Sequence, residues 1–164
     1  MVEILRSYNP DEIYIPYRGE TQSDHIATNR IAMSALTRWG KQVMINEYPV
    51  WAWFHWPWVG VFHNSRRTTL DILKNTFNSI GGLSLLRDLQ YAVYIGDVKD
   101  QKRVALDQHK SQMTRLIPDP SWLTLADVSN GEFLIQFFQE YEYYRFREFP
   151  GNNKMSSRSN ARVH

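Results

Sequence analysis

The run EIYIP, Glu12 to Pro16, is short, apolar through its middle and closed by a proline, the form of a buried strand in an α/β sheet. The polar loop YRGETQSD follows it, and residues spaced for a helix follow the loop. Strand, polar loop and helix in that order restrict the chain more than any other feature. An amphipathic helix that follows a buried strand must pack back on the sheet, and its first turn then lies at the strand's carboxyl end. That place collects ligands and catalytic groups in open α/β sheets. The loop brings Glu20, Gln22, Asp24 and His25 there within six residues.

The remaining patterning keeps to the same class. Val2 to Tyr8 reads as a helix end stopped by Asn9-Pro10-Asp11. Ser23 or Asp24 can cap the helix that runs to about Trp39, with Ile31, Ala32, Ala35, Leu36 and Trp39 as its buried stripe and Gly40 as its stop. Gln42 to about Trp53 reads as a second strand. Thr69 to Ile80 has helical spacing up to the break at Gly81-Gly82, and Gln90 to Gly96 alternates like a strand. Val98 to Leu116 reads as one charged amphipathic helix, and Phe133 to Phe149 as a short helix and then a strand. Strand and helix alternate, so the expected class is α/β with a parallel sheet. The 164 residues suffice for one domain with a real core, expected over residues 1–150, and the polar stretch 151–164 reads as a disordered tail. Only one candidate for a central strand precedes the polar loop, so the sheet looks short at its beginning.

Composition narrows the chemistry. There is no cysteine, which removes disulfides, thiolate zinc sites and cysteine nucleophiles; a metal would have to sit on His, Asp or Glu. The formal charge of +2, with aromatics not interleaved with a basic stripe, gives no support to nucleic-acid binding. No segment has the length and hydropathy of a membrane span and the first residues are unlike a secretory signal, so a cytoplasmic location is expected.

Each candidate residue also has a plain structural reading. Asp24 and His25 fit an acidic helix cap followed by a solvated imidazole as well as a ligand pair. His109, on a stripe with Ala105, Leu106, Met113 and Leu116, fits a satisfied core histidine better than a ligand. The run Tyr48 to Trp58, YPVWAWFHWPW, holds more tryptophan than one core strand buries; it suits an oligomer interface or the wall of a sugar-sized pocket. Glu47 before it suits an ion pair or a pocket carboxylate. His55, His63 and His164 are individually uninformative.

Three segments in order, PDEIYIPYRGETQSDHIATNRIAMSAL, EYPVWAW and KRVALDQHKSQ, resemble the carboxyl-terminal part of the LmbE/PIG-L family of zinc-dependent N-deacetylases, from about Pro10 to about Leu116. The resemblance implies a Rossmann-like three-layer sheet, one zinc ion, and hydrolysis of an N-acetyl group from an N-acetylglucosaminyl-type conjugate. In that family an A-H-P-D-D-E motif supplies two zinc ligands and the general base, and the last His of H-P-D-H supplies the third ligand. Here Q-S-D-H matches the second motif, which makes His25 the implied zinc ligand and Asp24 its carboxylate support. Gln22 stands where the motif has its first His and can offer only a neutral hydrogen bond to a developing oxyanion. Glu47, His109 and Gln112 fall in matching segments without an assignable role.

No A-H-P-D-D-E occurs in these residues, so the implied site is incomplete and the chain by itself is expected to be inactive. The expectation is a chain lacking the first half of the fold, whose partner is that half or a second copy. A non-catalytic carbohydrate-binding or self-association module on the same fold is the alternative.

Overall fold

A computed structural model describes residues 1–52, 85 and 87–152 of the chain. The run Trp53–Trp58, the helical stretch Thr69–Ile80, His55, His63 and the tail from residue 153 lie outside the described residues.

The described elements are α1 (Val2–Tyr8), β1 (Glu12–Pro16), α2 (Ser23–Trp39), β2 (Val43–Tyr48), β3 (Tyr91–Tyr94), α3 (Lys99–Leu106), α4 (Lys110–Met113), α5 (Glu132–Ile135) and β4 (Tyr141–Phe149). Punctuation sets the early boundaries. Asn9 ends α1 in the left-handed conformation, with its N–H on the Leu5 carbonyl. Gly40 ends α2 at φ 76°, where a side chain would be strained, with its N–H on the Leu36 carbonyl.

The fold is α/β, and the four strands form one mixed sheet in the order β1-β2-β4-β3. The expected parallel sheet holds for β1 and β2, which pair parallel from Glu12↔Met44 to Pro16↔Tyr48. It fails for β4, which runs antiparallel to β2. The register gives the reason: Arg145 and Arg147 occupy the side of β4 that faces the helices, and they lie opposite Glu47 and Ile45. Two arginines on that side need the buried carboxylate that this register supplies.

The chain divides into two compact units. The described part of the first is 1–52, 87–91 and 143–152; that of the second is 85 and 92–142. In the first, α1 packs on α2 and α2 on β1. Leu5, Ile15, Ala32, Ala35, Leu36, Val43, Ile45 and Phe149 form its core. The expected stripe of α2 is right at Ala32, Ala35 and Leu36 but not at Ile31, which is 57% exposed. One residue of helix is about 100°, enough to turn Ile31 off the face that buried Asn29, Ala32 and Leu36 share. Asn29 is accommodated because its amide donates to the Pro16 carbonyl at 2.7 Å, tying α2 to the end of β1.

Two residues assigned to the tail are packed. Gly151, at φ 71°, lies against the backbone of Gly40, Lys41 and Gln42, where a Cβ would come within about 3.0 Å of main-chain atoms. The Asn152 N–H donates to the Gly40 carbonyl at 2.9 Å.

In the second unit the expected helix Val98–Leu116 is broken. α3 ends at Leu106, a turn follows, and α4 begins at Lys110. Arg103 stacks on Phe138 at 4.1 Å and Lys102 pairs with Glu142. The Trp122 indole donates to the Ser111 carbonyl at 3.0 Å. No described helix is long and apolar enough to cross a membrane.

Candidate functional site at the carboxyl ends of β1 and β2

Parallel pairing brings the ends of β1 and β2 side by side, so the loop after β1 meets the turn after β2. The Tyr17 N–H donates to the Tyr48 carbonyl at 2.8 Å and closes the ladder. Beyond it, Glu20 reaches across to the turn. Its carboxylate is buried and accepts three main-chain N–H groups: Val50 at 2.6 Å and Ala52 at 3.2 Å on Oε1, and Trp51 at 2.9 Å on Oε2. Backbone dipoles thus hold a charge that burial would otherwise disfavour. The Tyr48 phenol next to it is pushed up from its usual pKa range, first by burial and then by the Glu20 charge.

His25 lies in the first turn of α2, and four residues separate it from buried Asn29, so it starts the inward stripe of that helix. Its side chain is 20% exposed, and Nδ1 lies 3.5 Å from Glu20 Oε2. Nδ1 is buried and has no hydrogen-bond partner among the described residues. Asp24, one residue away, is exposed, and the carboxylate found 3.5 Å from the imidazole is that of Glu20. Neither Ser23 nor Asp24 is the cap of α2: the N-cap is Gln22, in extended conformation and without a side-chain cap bond. The helix starts one residue earlier than a Ser23 cap requires and two earlier than an Asp24 cap requires, which places Asp24 in the first turn, where the helix dipole favours a carboxylate. The half-buried Gln22 side chain accepts the Thr21 hydroxyl at 2.9 Å.

A second acidic anchor holds the same loop from the other side. Glu47 is completely buried and ion-paired, to Arg147 at 2.7 Å and Arg145 at 3.2 Å, and it accepts the Arg18 main-chain N–H at 3.3 Å. Of its two sequence readings, the ion pair is the one observed. Asp88 extends the network, accepting the Tyr17 hydroxyl at 2.8 Å and Arg18 Nη2 at 3.0 Å, with Arg145 Nε at 3.6 Å. Burial pushes the Tyr17 phenol up to about 12, helped by the hydrogen bond to Asp88 and by its charge. Burial also acts to raise Asp88, but hydrogen bonds from Tyr17 and Arg18 and the charges of Arg18 and Arg145 outweigh it and hold its carboxyl below the usual range.

His109 is not a core residue. It is exposed in the break between α3 and α4, where its carbonyl accepts the Gln112 and Met113 N–H groups. The apolar stripe assumed for it needs a continuous helix, and the turn at Asp107–Gln108 rotates it out of line. Gln112 is exposed, and its carbonyl accepts the Leu125 N–H at 2.8 Å.

Of the sequence candidates, the loop gathers Gln22, Asp24 and His25 on one helix start, and Glu47 anchors that loop from β2. Glu20 and Asp88 are the residues that sequence reasoning missed as partners. Their partners lie 30 to 32 and about 70 residues away, so no local spacing announces them. Among the described residues no group of three His, Asp or Glu is placed to hold a metal ion. Around this loop the described residues therefore offer zinc one imidazole, that of His25, and do not by themselves complete a site. No family model matches the chain, and no curated protein or solved structure is significantly similar to it.

Proposed function

We propose that this chain carries one side of the site of a zinc-dependent N-deacetylase, with His25 as a metal ligand and the other ligands supplied by polypeptide beyond the described residues. The observation that carries the reading is the placement of His25. It stands at the carboxyl end of a parallel strand pair, with Nδ1 toward a buried carboxylate, which leaves Nε2 for a ligand. The substrate class, an N-acetylglucosaminyl-type conjugate, comes from the resemblance of the Q-S-D-H, EYPVWAW and KRVALDQHKSQ segments alone. Asp24 and Gln22 would then face the reacting amide, with Gln22 as a neutral donor. On this reading the described sheet belongs to a Rossmann-like three-layer sheet. Further strands of such a sheet would add beside β1, which lies at an edge of the described four-strand sheet.

The test is reconstitution. The chain is co-expressed with a polypeptide bearing an A-H-P-D-D-E segment of that family, and bound zinc and acetate release from an N-acetylglucosaminyl substrate are measured. One zinc per complex, lost in His25→Ala, is the expected result; a complex that holds no zinc sinks the reading.

One observation favours the binding-module alternative. The sheet face opposite the helices carries Tyr14 at 57% exposure and Phe146 at 45%, and Tyr91 stacks on Phe146 with ring centroids 5.3 Å apart. Aromatic faces of this kind suit a sugar ring or a second copy. Saturable sugar binding or a defined oligomer of the chain alone, without zinc in the reconstituted complex, would decide for it.

A further inference from the structure

The two oxygens of Glu20 are not equivalent. Oε1 accepts both Val50 and Ala52 N–H groups, whereas among the described residues Oε2 accepts Trp51 alone and lies on the side of His25. A carboxylate oxygen takes two donors readily, so Oε2 has capacity for one more. Across 3.5 Å lies a buried imidazole nitrogen with no partner among the described residues. Buried polar atoms in native proteins are nearly always paired, and a small rotation of the ring brings these two together.

We infer that Glu20 is the positioning residue of His25: it accepts Nδ1–H and so fixes the neutral imidazole in the tautomer whose lone pair is on Nε2. The backbone cradle makes this possible. Three N–H groups lock the carboxylate in place, so His25 is oriented by a group that cannot swing away, and Asp24 is left exposed for other contacts. The inference deepens the proposed function, since a nitrogen ligand needs its lone pair free, and it rests on that reading only for its purpose. The tautomer itself is a property of the chain without metal.

The experiment is long-range 1H–15N correlation of the histidine ring nitrogens in the metal-free chain, at a pH where the imidazoles are neutral. The His25 signal is assigned by its loss in His25→Gln. The Nδ1–H form is expected to exceed the Nε2–H form by roughly tenfold or more, as a hydrogen bond to a charged acceptor dictates. In Glu20→Gln the ratio is expected to invert. The carbonyl of the new amide must stay on the two-donor side, under Val50 and Ala52, which turns its NH2 toward His25 and makes Nδ1 an acceptor. Wild-type His25 in the Nε2–H form overturns the inference, and this arm needs no variant to fold. An unchanged ratio in a folded Glu20→Gln chain overturns it as well. Failure of the metal-ligand reading appears elsewhere, in the zinc content of the reconstituted complex, and leaves the tautomer result standing.

Discussion

Glu20 and Glu47 are two buried carboxylates that hold the same loop, and they are neutralised in opposite ways. Glu47 sits between two guanidinium groups, Arg145 and Arg147, in a register fixed by strand pairing. Glu20 meets no lysine or arginine among the described contacts; main-chain N–H groups hold it, and its ionisable neighbours there are His25 and the Tyr48 phenol. A carboxylate surrounded by arginines is saturated with charge and serves as an anchor. One cradled by backbone dipoles has no cation to satisfy it and can also accept from a neighbouring imidazole.

The sharpest way to break this contrast is to remove Glu47. Glu47→Ala leaves Arg147, half-buried, without a carboxylate among the described residues, and leaves Arg145 with Asp88 alone, at 3.6 Å. The expected loss is about 3 kcal/mol or more in urea unfolding, because an uncompensated buried charge costs more than the pair contributes. A loss below about 1 kcal/mol would show that water already solvates those guanidinium groups. Glu20→Ala comes next, at about 2 kcal/mol, since it orphans buried N–H groups rather than charges. Its signature is local: hydrogen exchange at Val50 to Ala52 accelerates more than at Ile45, and equal acceleration at both would make Glu20 a global anchor like Glu47. Asn29→Ala removes the bond to the Pro16 carbonyl and is expected to cost about 1 kcal/mol, read as a lower urea midpoint with unchanged slope.

The last effect is electrostatic and shows only toward the ends of the pH range. Tyr17 has its folded pKa raised to about 12 from 10.0, so its contribution is fully present below pH 10 and is lost as pH rises toward 12. Asp88 has a lowered folded pKa, so its contribution is present above the ordinary aspartate range and lost as pH falls through the folded value. Tyr17→Phe should therefore flatten the alkaline limb of stability against pH, and Asp88→Asn the acid limb. Alkaline limbs that superimpose in wild type and Tyr17→Phe would remove the Tyr17–Asp88 bond from the account.

How much was legible follows from range. Glu12–Pro16 as strand, Val2–Tyr8 and Ser23–Trp39 as helices, and their stops at Asn9 and Gly40 all come from patterns within a few residues. The Phe133–Phe149 reading, short helix and then strand, was legible for the same reason. The errors fall where a local pattern was extended too far. The spacing from Val98 to Leu116 reads as one helix, but the chain turns at Asp107, and that turn takes His109 off the apolar stripe. Alternation of strand and helix suggested a parallel sheet, yet β4 pairs antiparallel to suit Arg145 and Arg147.

The sequence by itself determined the α/β class and the polar loop that brings His25 to the end of a strand, because backbone preference and hydrophobic period act over a turn or two. Only the tertiary structure decided which carboxylate faces which group. Glu20 finds its donors about 30 residues away and Glu47 its arginines about 100 residues away, through pairing of β1 with β2 and of β2 with β4. A carboxylate in a sequence carries no mark of whether a cation or a backbone N–H will meet it. That choice is made by the sheet register, which sets the distances over which charge and hydrogen bonding act.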